Sequence, residues 1–449
     1  MAKQEQWSSK IGFILAAAGS AIGLGAIWKF PYMTGTNGGG IFFLFFVIFT
    51  LMIGTPLLIA EFTIGRNAQK DAIRAYKHIS PGKSWVLLGY GGVLASIILL
   101  SFYSVVGGWI LSYLWRSFTG SLSNLTQSEY SGLFNTVISS PYETVIAQLL
   151  FMVLTIWVVQ GGVSKGIEKA NKYMMPSLFV LFLVLLIRSM TLEGAMEGVR
   201  FFLKPDFSSL TKQTILLALG QSFFALSVGI SVMVTYASYL SKNDDITKSA
   251  ISVVGLNIFI SLLAGLVIFP AVFALGFDPS SGPGLVFVVL PAVFNEITFG
   301  GIFMEIFFVL LLFATLTSAF SILEIIVASM IKGDARKRRK SSWIAGLLVF
   351  VIGIPSALSF GVLSDVKIFN LSFFDLADYV TSNIALPIGA LFISLFIGYQ
   401  MKRLQVQKEF EMGASPGFSF FKIWYFLIRY IVPVAILVVF LSSIGLFDK

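Results

Sequence analysis

Gly19-Ser-Ala-Ile-Gly-Leu-Gly25 lies near the middle of an apolar run from 11 to 32. Three glycines in seven residues invite a helix to unwind, because glycine is the weakest helix former after proline. At bilayer depth an unpaired backbone group is costly, and opened backbone is tolerated only where it lines a cavity or binds something. The stretch is therefore expected to open a membrane helix around a ligand.

The surrounding chain fits a membrane setting. Of its 449 residues, 57% are hydrophobic and 12% charged. Its mean hydropathy is +0.89. A soluble domain carries roughly 25% charged residues. The charged start Met1-Ala-Lys-Gln-Glu5 runs straight into the first span, which reads as no cleavable leader. With no cysteine, there is no disulfide, thiolate metal site or cysteine nucleophile. A single His78, expected in a polar loop, excludes a histidine metal cluster.

Segments long enough to cross a ~30 Å hydrocarbon core at about 1.5 Å per residue number eleven. They run 10–34, 39–66, 87–117, 141–162, 166–189, 212–240, 246–275, 300–331, 341–361, 375–401 and 417–446, and are called spans one to eleven. With the N-terminus inside, 22 lysines and arginines fall on the inner side and 8 on the outer; Arg429, within a span, completes the 31. The net charge of +9 is thus a signature of orientation, and no nucleic-acid partner is expected. An odd span count puts the C-terminus outside.

A second interruption, Phe224-Ala-Leu-Ser227-Val-Gly229-Ile-Ser231, falls in span six. Spans one and six each open a set of five, and an odd-numbered repeat must sit in the membrane twice with opposite orientations. The predicted fold is an all-α polytopic membrane protein with a five-plus-five inverted repeat (10–189 and 212–401), interrupted helices one and six, and an additional helix at 417–446, all within one domain. Paired interrupted spans at corresponding positions point to a transporter with a midplane site. Half-helix N-termini suit an anionic group, and freed carbonyls suit a cation. Glycines also serve close helix packing, but two clusters at matching positions weigh against that reading.

The chain resembles the neurotransmitter:sodium symporters. The likeness rests on Trp7-Ser-Ser-Lys-Ile-Gly12, Ala21-Ile-Gly-Leu-Gly25, Trp28-Lys-Phe-Pro-Tyr32, Asn37-Gly-Gly-Gly40, Glu61 with Gly65-Arg66, Ser164-Lys-Gly-Ile-Glu168, Thr235-Tyr-Ala-Ser-Tyr239 and Leu316-Thr-Ser318, in unbroken order. With no twelfth span it is similar to the shorter bacterial branch, which imports amino acids on the sodium gradient. The resemblance implies that a substrate carboxylate meets the amides of Leu24 and Gly25 and the Tyr103 hydroxyl. The amine would meet the carbonyls of Ala21, Phe224 and Ala225, helped by Ser227. Monoamine carriers of the family place an Asp where this chain has Gly23, which argues for an α-amino acid. The side-chain pocket would be Leu99, Tyr103, Phe224, Ile230, Ser318 and Ile322, with no charged residue, so a neutral, hydrophobic amino acid is expected.

The same likeness implies a sodium site from the carbonyls of Gly19, Ile22 and Ala314 with the hydroxyls of Thr317 and Ser318. Oxygens without a carboxylate suit a monovalent hard cation better than calcium or magnesium. A second sodium site retains Ala21, Ala225 and Asn257, but Ala26 and Ala225 stand where the family supplies oxygen ligands. One tightly coupled sodium is expected, the second weak or absent. Gln221, Asn257 and Ser261 match the family's chloride pattern while Phe46 and Ala225 depart from it, leaving chloride open. Monomer and dimer are equally compatible with the sequence.

For the gates, the family's outer Arg–Asp pair becomes Lys29 and Asp378, a point charge in place of a planar fork. The usual inner pair is absent, with Gln4 and Lys332 at its positions. Trp7 is expected to plug the inner vestibule or to anchor at the interface. Gly166 and Pro176 make the inner end of span five easy to unwind. Glu61, Glu305 and Glu324 are ionisable residues within spans and so candidates for function. Sequons at Asn124 and Asn370 carry no meaning in a bacterial protein. The expected activity is sodium-coupled amino-acid symport, across a cell's inner (plasma) membrane. The rivals are a carrier of other small zwitterions such as betaines and a non-transporting amino-acid sensor, which usually carries a long signalling extension. An enzyme is not expected, because no Ser/His, Cys/His or metal constellation is present.

Overall fold

A computed structural model describes residues 5–123, 125–280, 284–413 and 420–443. Gln4 and Asn124 lie outside the described residues, as do both chain ends. Among the described residues, nine helices are long and apolar enough to cross a membrane. A tenth span is the bent pair Lys10–Ala21 and Gly25–Thr36, whose axes differ by 49°. The nine, from Gly40–Ala68 to Phe421–Ser442, lie within four residues of the expected boundaries except at Ala335–Ala357, which starts six residues before the expected 341. Span six is present as two pieces, Lys212–Ala225 and Val232–Ala237, each too short to cross by itself.

Local chemistry explains where the spans start. Ser9, Ser140, Thr211 and Asp245 cap helices by accepting from the backbone N–H three residues on. Inside the spans, wide π-turns form at Gly25–Lys29, Thr50–Gly54, Leu285–Val289, Val380–Ala385 and Leu427–Ile431. Each ends two residues before a proline: Pro31, Pro56, Pro291, Pro387 and Pro433. Proline cannot donate to the carbonyl four residues back, and its ring clashes with that carbonyl. Widening the preceding turn moves the carbonyl aside while keeping a hydrogen bond. The π-turns Val163–Glu168, at the start of span five, and Phe396–Gln400, at the end of span ten, have no such proline.

Spans three (Val86–Phe118) and eight (Gly300–Ile331) are the most buried and form the centre; span five (Val163–Met190) is the least buried. The broken spans one and six lie against this centre. Short helices outside the expected spans, Ala72–Ile79, Gln127–Ser139, Ala195–Leu203, Leu285–Asn295 and Arg403–Glu411, occupy what the sequence presented as loops. One consequence is that His78 is not a loop residue. It sits exposed in the last turn of Ala72–Ile79.

Candidate functional site

The inner half of span one ends at Ala21, where Ile22 caps it through an N–H to Ala18 O bond of 2.8 Å. Helix resumes at Leu24, so only two residues separate the halves. Freed carbonyls find partners on three neighbouring spans. Gly19 O accepts from Thr317 Oγ1 (3.0 Å) and Ser318 Oγ (3.1 Å). Ser20 O accepts from Ser318 Oγ (2.8 Å) and Ser227 Oγ (2.9 Å). Ala21 O accepts from Asn257 Nδ2 at 3.1 Å. On the outer half, Leu24 N donates to Tyr103 Oη (3.3 Å), and Gly25 O accepts from Gln221 Nε2 (2.6 Å).

Span six breaks through residues that adopt left-handed backbone: Ser227 (φ 52°), Gly229 (φ 102°) and Ser231 (φ 60°). Such angles strain side chains other than glycine's, and the strain must be held by surrounding contacts. Glu61 holds it. Its Oε1 accepts from Gly229 N at 2.6 Å and its Oε2 from Val234 N at 3.2 Å. Gly229 also packs against span ten, where a Cβ would lie 2.4 Å from Leu386 O.

The two breaks share one cavity of about 30 Å³. Of the substrate-site residues named from the sequence, Ala21, Leu24, Gly25, Leu99, Tyr103, Phe224, Ser227, Ile230, Ser318 and Ile322 line it, and no lining side chain is charged. Ala225 does not; its carbonyl accepts from Asn257 Nδ2 at 2.8 Å. Gly23, the position the family likeness singled out, lines it as well, as do Ser20 and Leu386, which the sequence did not name. The volume is far below that of an amino acid, so admitting one requires the walls to part. Gly23 has no room for a side chain, since a Cβ would lie 2.0 Å from Ser318 Oγ and 2.6 Å from Tyr103 Oη.

Of the residues named for the first sodium site, Thr317 and Ser318 both donate to Gly19 O, and Thr317 Oγ1 also donates to Ala314 O at 2.9 Å. At the second, the Asn257 amide bridges Ala21 and Ala225. The buried oxygens Gln221 Oε1, Asn257 Oδ1 and Ser261 Oγ have no hydrogen-bond partner among the described residues. Phe46 packs on Phe30 with centroids 4.8 Å apart. Among the described residues there is no cluster of three His, Cys, Asp or Glu side chains able to hold a metal ion.

Lys29 Nζ lies 3.8 Å from Asp378 Oδ1 and 4.5 Å from the centroid of Phe224. Ser382 links the pair, accepting from Lys29 (3.4 Å) and donating to Asp378 (2.7 Å). A second charged network joins Glu324, one of the ionisable span residues named from the sequence, to Glu5 and Arg338, which the sequence did not single out. Glu5 and Arg338 lie 2.6 Å apart, Arg338 pairs with Glu324 at 2.6 Å, and Tyr239 Oη donates to Glu324 at 2.6 Å. Trp7 is half-buried, with Nε1 donating to Tyr236 O (2.9 Å) and its ring edge-on to Tyr236. Glu168 accepts from Ser8 N (2.7 Å), Ser8 Oγ (2.6 Å) and Ser9 Oγ (3.1 Å), tying the N-terminal stretch to span five. Gly166 lies in the π-turn of span five and Pro176 within its helix.

Two broken helices around one uncharged cavity, within a bundle of membrane-length helices, fit a membrane transporter. The model of the sodium:neurotransmitter symporter family matches residues 4–132 and 139–449, and the chain belongs to that family. A sodium-dependent transporter of Bacillus subtilis (strain 168), YhdH, is 56% identical over 444 residues, covering 99% of this chain and 98% of that protein. A sodium-dependent serotonin transporter of Drosophila melanogaster is 27% identical over 491 residues, 98% of this chain and 76% of that one. The crystal structure of MhsT in complex with L-phenylalanine superposes with a TM-score of 0.91 at 46% identity, over 98% of this chain and 100% of that one. The chain is thus a multi-pass, sodium-dependent transporter.

Proposed function

We propose that this chain imports neutral, hydrophobic α-amino acids down the sodium gradient by alternating access around the shared cavity. One observation carries the reading: every predicted pocket side chain lines a cavity whose walls are apolar or hydroxyl-bearing, with backbone groups of both broken spans at its edge. Backbone amides at Leu24 and Gly25 suit a carboxylate, and carbonyls at Ala21 and Phe224 suit an ammonium. Leu99, Ile230 and Ile322 leave no partner for a charged substrate side chain. That MhsT was solved with L-phenylalanine agrees with this substrate class.

The coupled ion is assigned to Gly19, Ile22, Ala314, Thr317 and Ser318. The site of Ala21, Ala225 and Asn257 is weak, because the Asn257 amide already serves both carbonyls. Eleven spans, in repeats 10–189 and 212–401 followed by 417–446, put the N-terminus in the cytoplasm and the C-terminus outside. Lys29 with Asp378, lidded by Tyr103 and Phe224, forms the outer gate. Trp7, Gly166 and Pro176 serve the inner one.

The test is uptake of labelled leucine, tryptophan and tyrosine into proteoliposomes under an inward sodium gradient, against a potassium control. Accumulation of any of them, competed by the others, is the expected result. Binding without accumulation would mean a sensor, and no binding would overturn the assignment of the pocket.

A further inference from the structure

Asn171 lies midway between Gly166 and Pro176, in the inner part of span five, and is fully buried. Its Nδ2 donates to Ile167 O at 2.9 Å, which fixes the amide's orientation and sends Oδ1 the other way. Oδ1 accepts no hydrogen bond from any described residue. It faces span one. A methyl group placed on Gly19 would lie 2.2 Å from Asn171 Oδ1 and 3.0 Å from Thr317 Cβ. Asn171 and Thr317 therefore crowd the same side of Gly19, where only hydrogen leaves room.

Buried side-chain oxygens without a partner are uncommon and call for a physical explanation. Here the oxygen belongs to a neutral amide and points at the residue whose carbonyl heads the sodium site. Carbonyl-type oxygens are what a hard cation takes as ligands. We propose that Asn171 Oδ1 is a further sodium ligand, supplied by span five. It joins the oxygens of spans one and eight and is withdrawn when the inner end of span five opens. This rests on the assignment of sodium to the Gly19–Thr317 site. The same helix end carries Glu168, which holds Ser8 and Ser9. Unwinding between Gly166 and Pro176 would release the N-terminal stretch and remove one oxygen from the ion together, coupling inner opening to sodium release.

The experiment is equilibrium binding of radiolabelled sodium to the purified full-length transporter without amino acid, for wild type, Asn171→Leu and Thr317→Ala. Asn171→Leu keeps the γ-branched shape and removes the oxygen. It should raise the half-saturating sodium concentration by about fivefold or more. Amino-acid affinity at saturating sodium should stay within about twofold of wild type, because Asn171 does not line the cavity. Wild-type sodium binding in Asn171→Leu, with binding weakened in Thr317→Ala, would overturn the proposal and leave the sodium site standing. Wild-type binding in both variants would overturn the site and the proposal with it. If Asn171→Leu fails to give a monodisperse protein, Asn171→Asp decides. It keeps an oxygen and adds a charge, so a lower half-saturating concentration supports the ligand role and an unchanged one overturns it.

Discussion

Gly23 and Glu61 show how single residues set the chemistry. The place of a Gly23 side chain is taken by Ser318 and Tyr103, both of which line the cavity. Gly23→Ala should push them apart and weaken amino-acid binding by about tenfold or more, roughly 1.4 kcal/mol, with sodium binding alone changed less. Equilibrium binding of the best-transported amino acid measures both. Glu61 is fully buried, and its carboxylate accepts from two backbone amides of the broken span. In Glu61→Gln one of those amides faces an N–H₂ instead of an acceptor, a loss of about 1.5–3 kcal/mol for a charged hydrogen bond. A drop of several degrees in apparent melting temperature is expected in detergent; an unchanged melting curve would mean that the break holds without the carboxylate. Most of the cavity was legible in the sequence because glycines mark where backbone is exposed and hydroxyls mark what meets it. Leu386 was not, because an apolar residue on an apolar span carries no sign of the direction it faces.

At the scale of elements, the wide turns explain both what the sequence conveyed and what it hid. Span boundaries were readable from length and hydropathy. Within a span that is apolar on every side, the 3.6-residue periodicity that would reveal a distorted turn is missing. Prolines marked five of the π-turns in retrospect; the turn Val163–Glu168 had only Gly166 to announce it. The short helices between spans were missed for the opposite reason, being too short or too polar to register as membrane segments. Gly166 has a geometric role, since a Cβ there would lie 2.1 Å from Val158 O and 3.2 Å from the Gly161 backbone. Backbone atoms cannot swing aside as a side-chain tip does, so Gly166→Ala must shift the π-turn away from the end of span four. Amide hydrogen exchange across 163–172 should rise, while the outer half of span six stays protected. Unchanged exchange would mean that the turn accommodates a methyl group and that Pro176 alone sets the weakness of this end.

Across the whole molecule, the two proposed closures differ in strength. The outer one is a lysine and a carboxylate 3.8 Å apart, with the Asp378 side chain 41% exposed. Water and salt screen such a pair, and exposed pairs contribute little. On the inner side, Arg338 and Glu324 are buried, joined by Glu5 and Tyr239. These partners come from the N-terminal stretch and spans six, eight and nine, distances in sequence at which no local pattern pairs them, so the sequence showed the lost family pair and not this network. The less screened inner network should favour the state closed to the cytoplasm, and Glu5 is the member whose removal leaves Arg338 still paired with Glu324. Ala328 is buried at the small cavity bounded by Glu5, Tyr239 and Arg338. Because the natural chain has no cysteine, Ala328→Cys provides a single reporter of access from inside. Adding Glu5→Gln should speed its labelling by a membrane-impermeant maleimide about fivefold in inside-out vesicles. Sodium-free buffer is the condition for the comparison, since an ion at the proposed site would hold spans one and eight together. Equal rates with and without Glu5 would assign inner closure to Trp7 on Tyr236 and to Glu168 on Ser8, and Glu168→Gln would then be the substitution that speeds labelling.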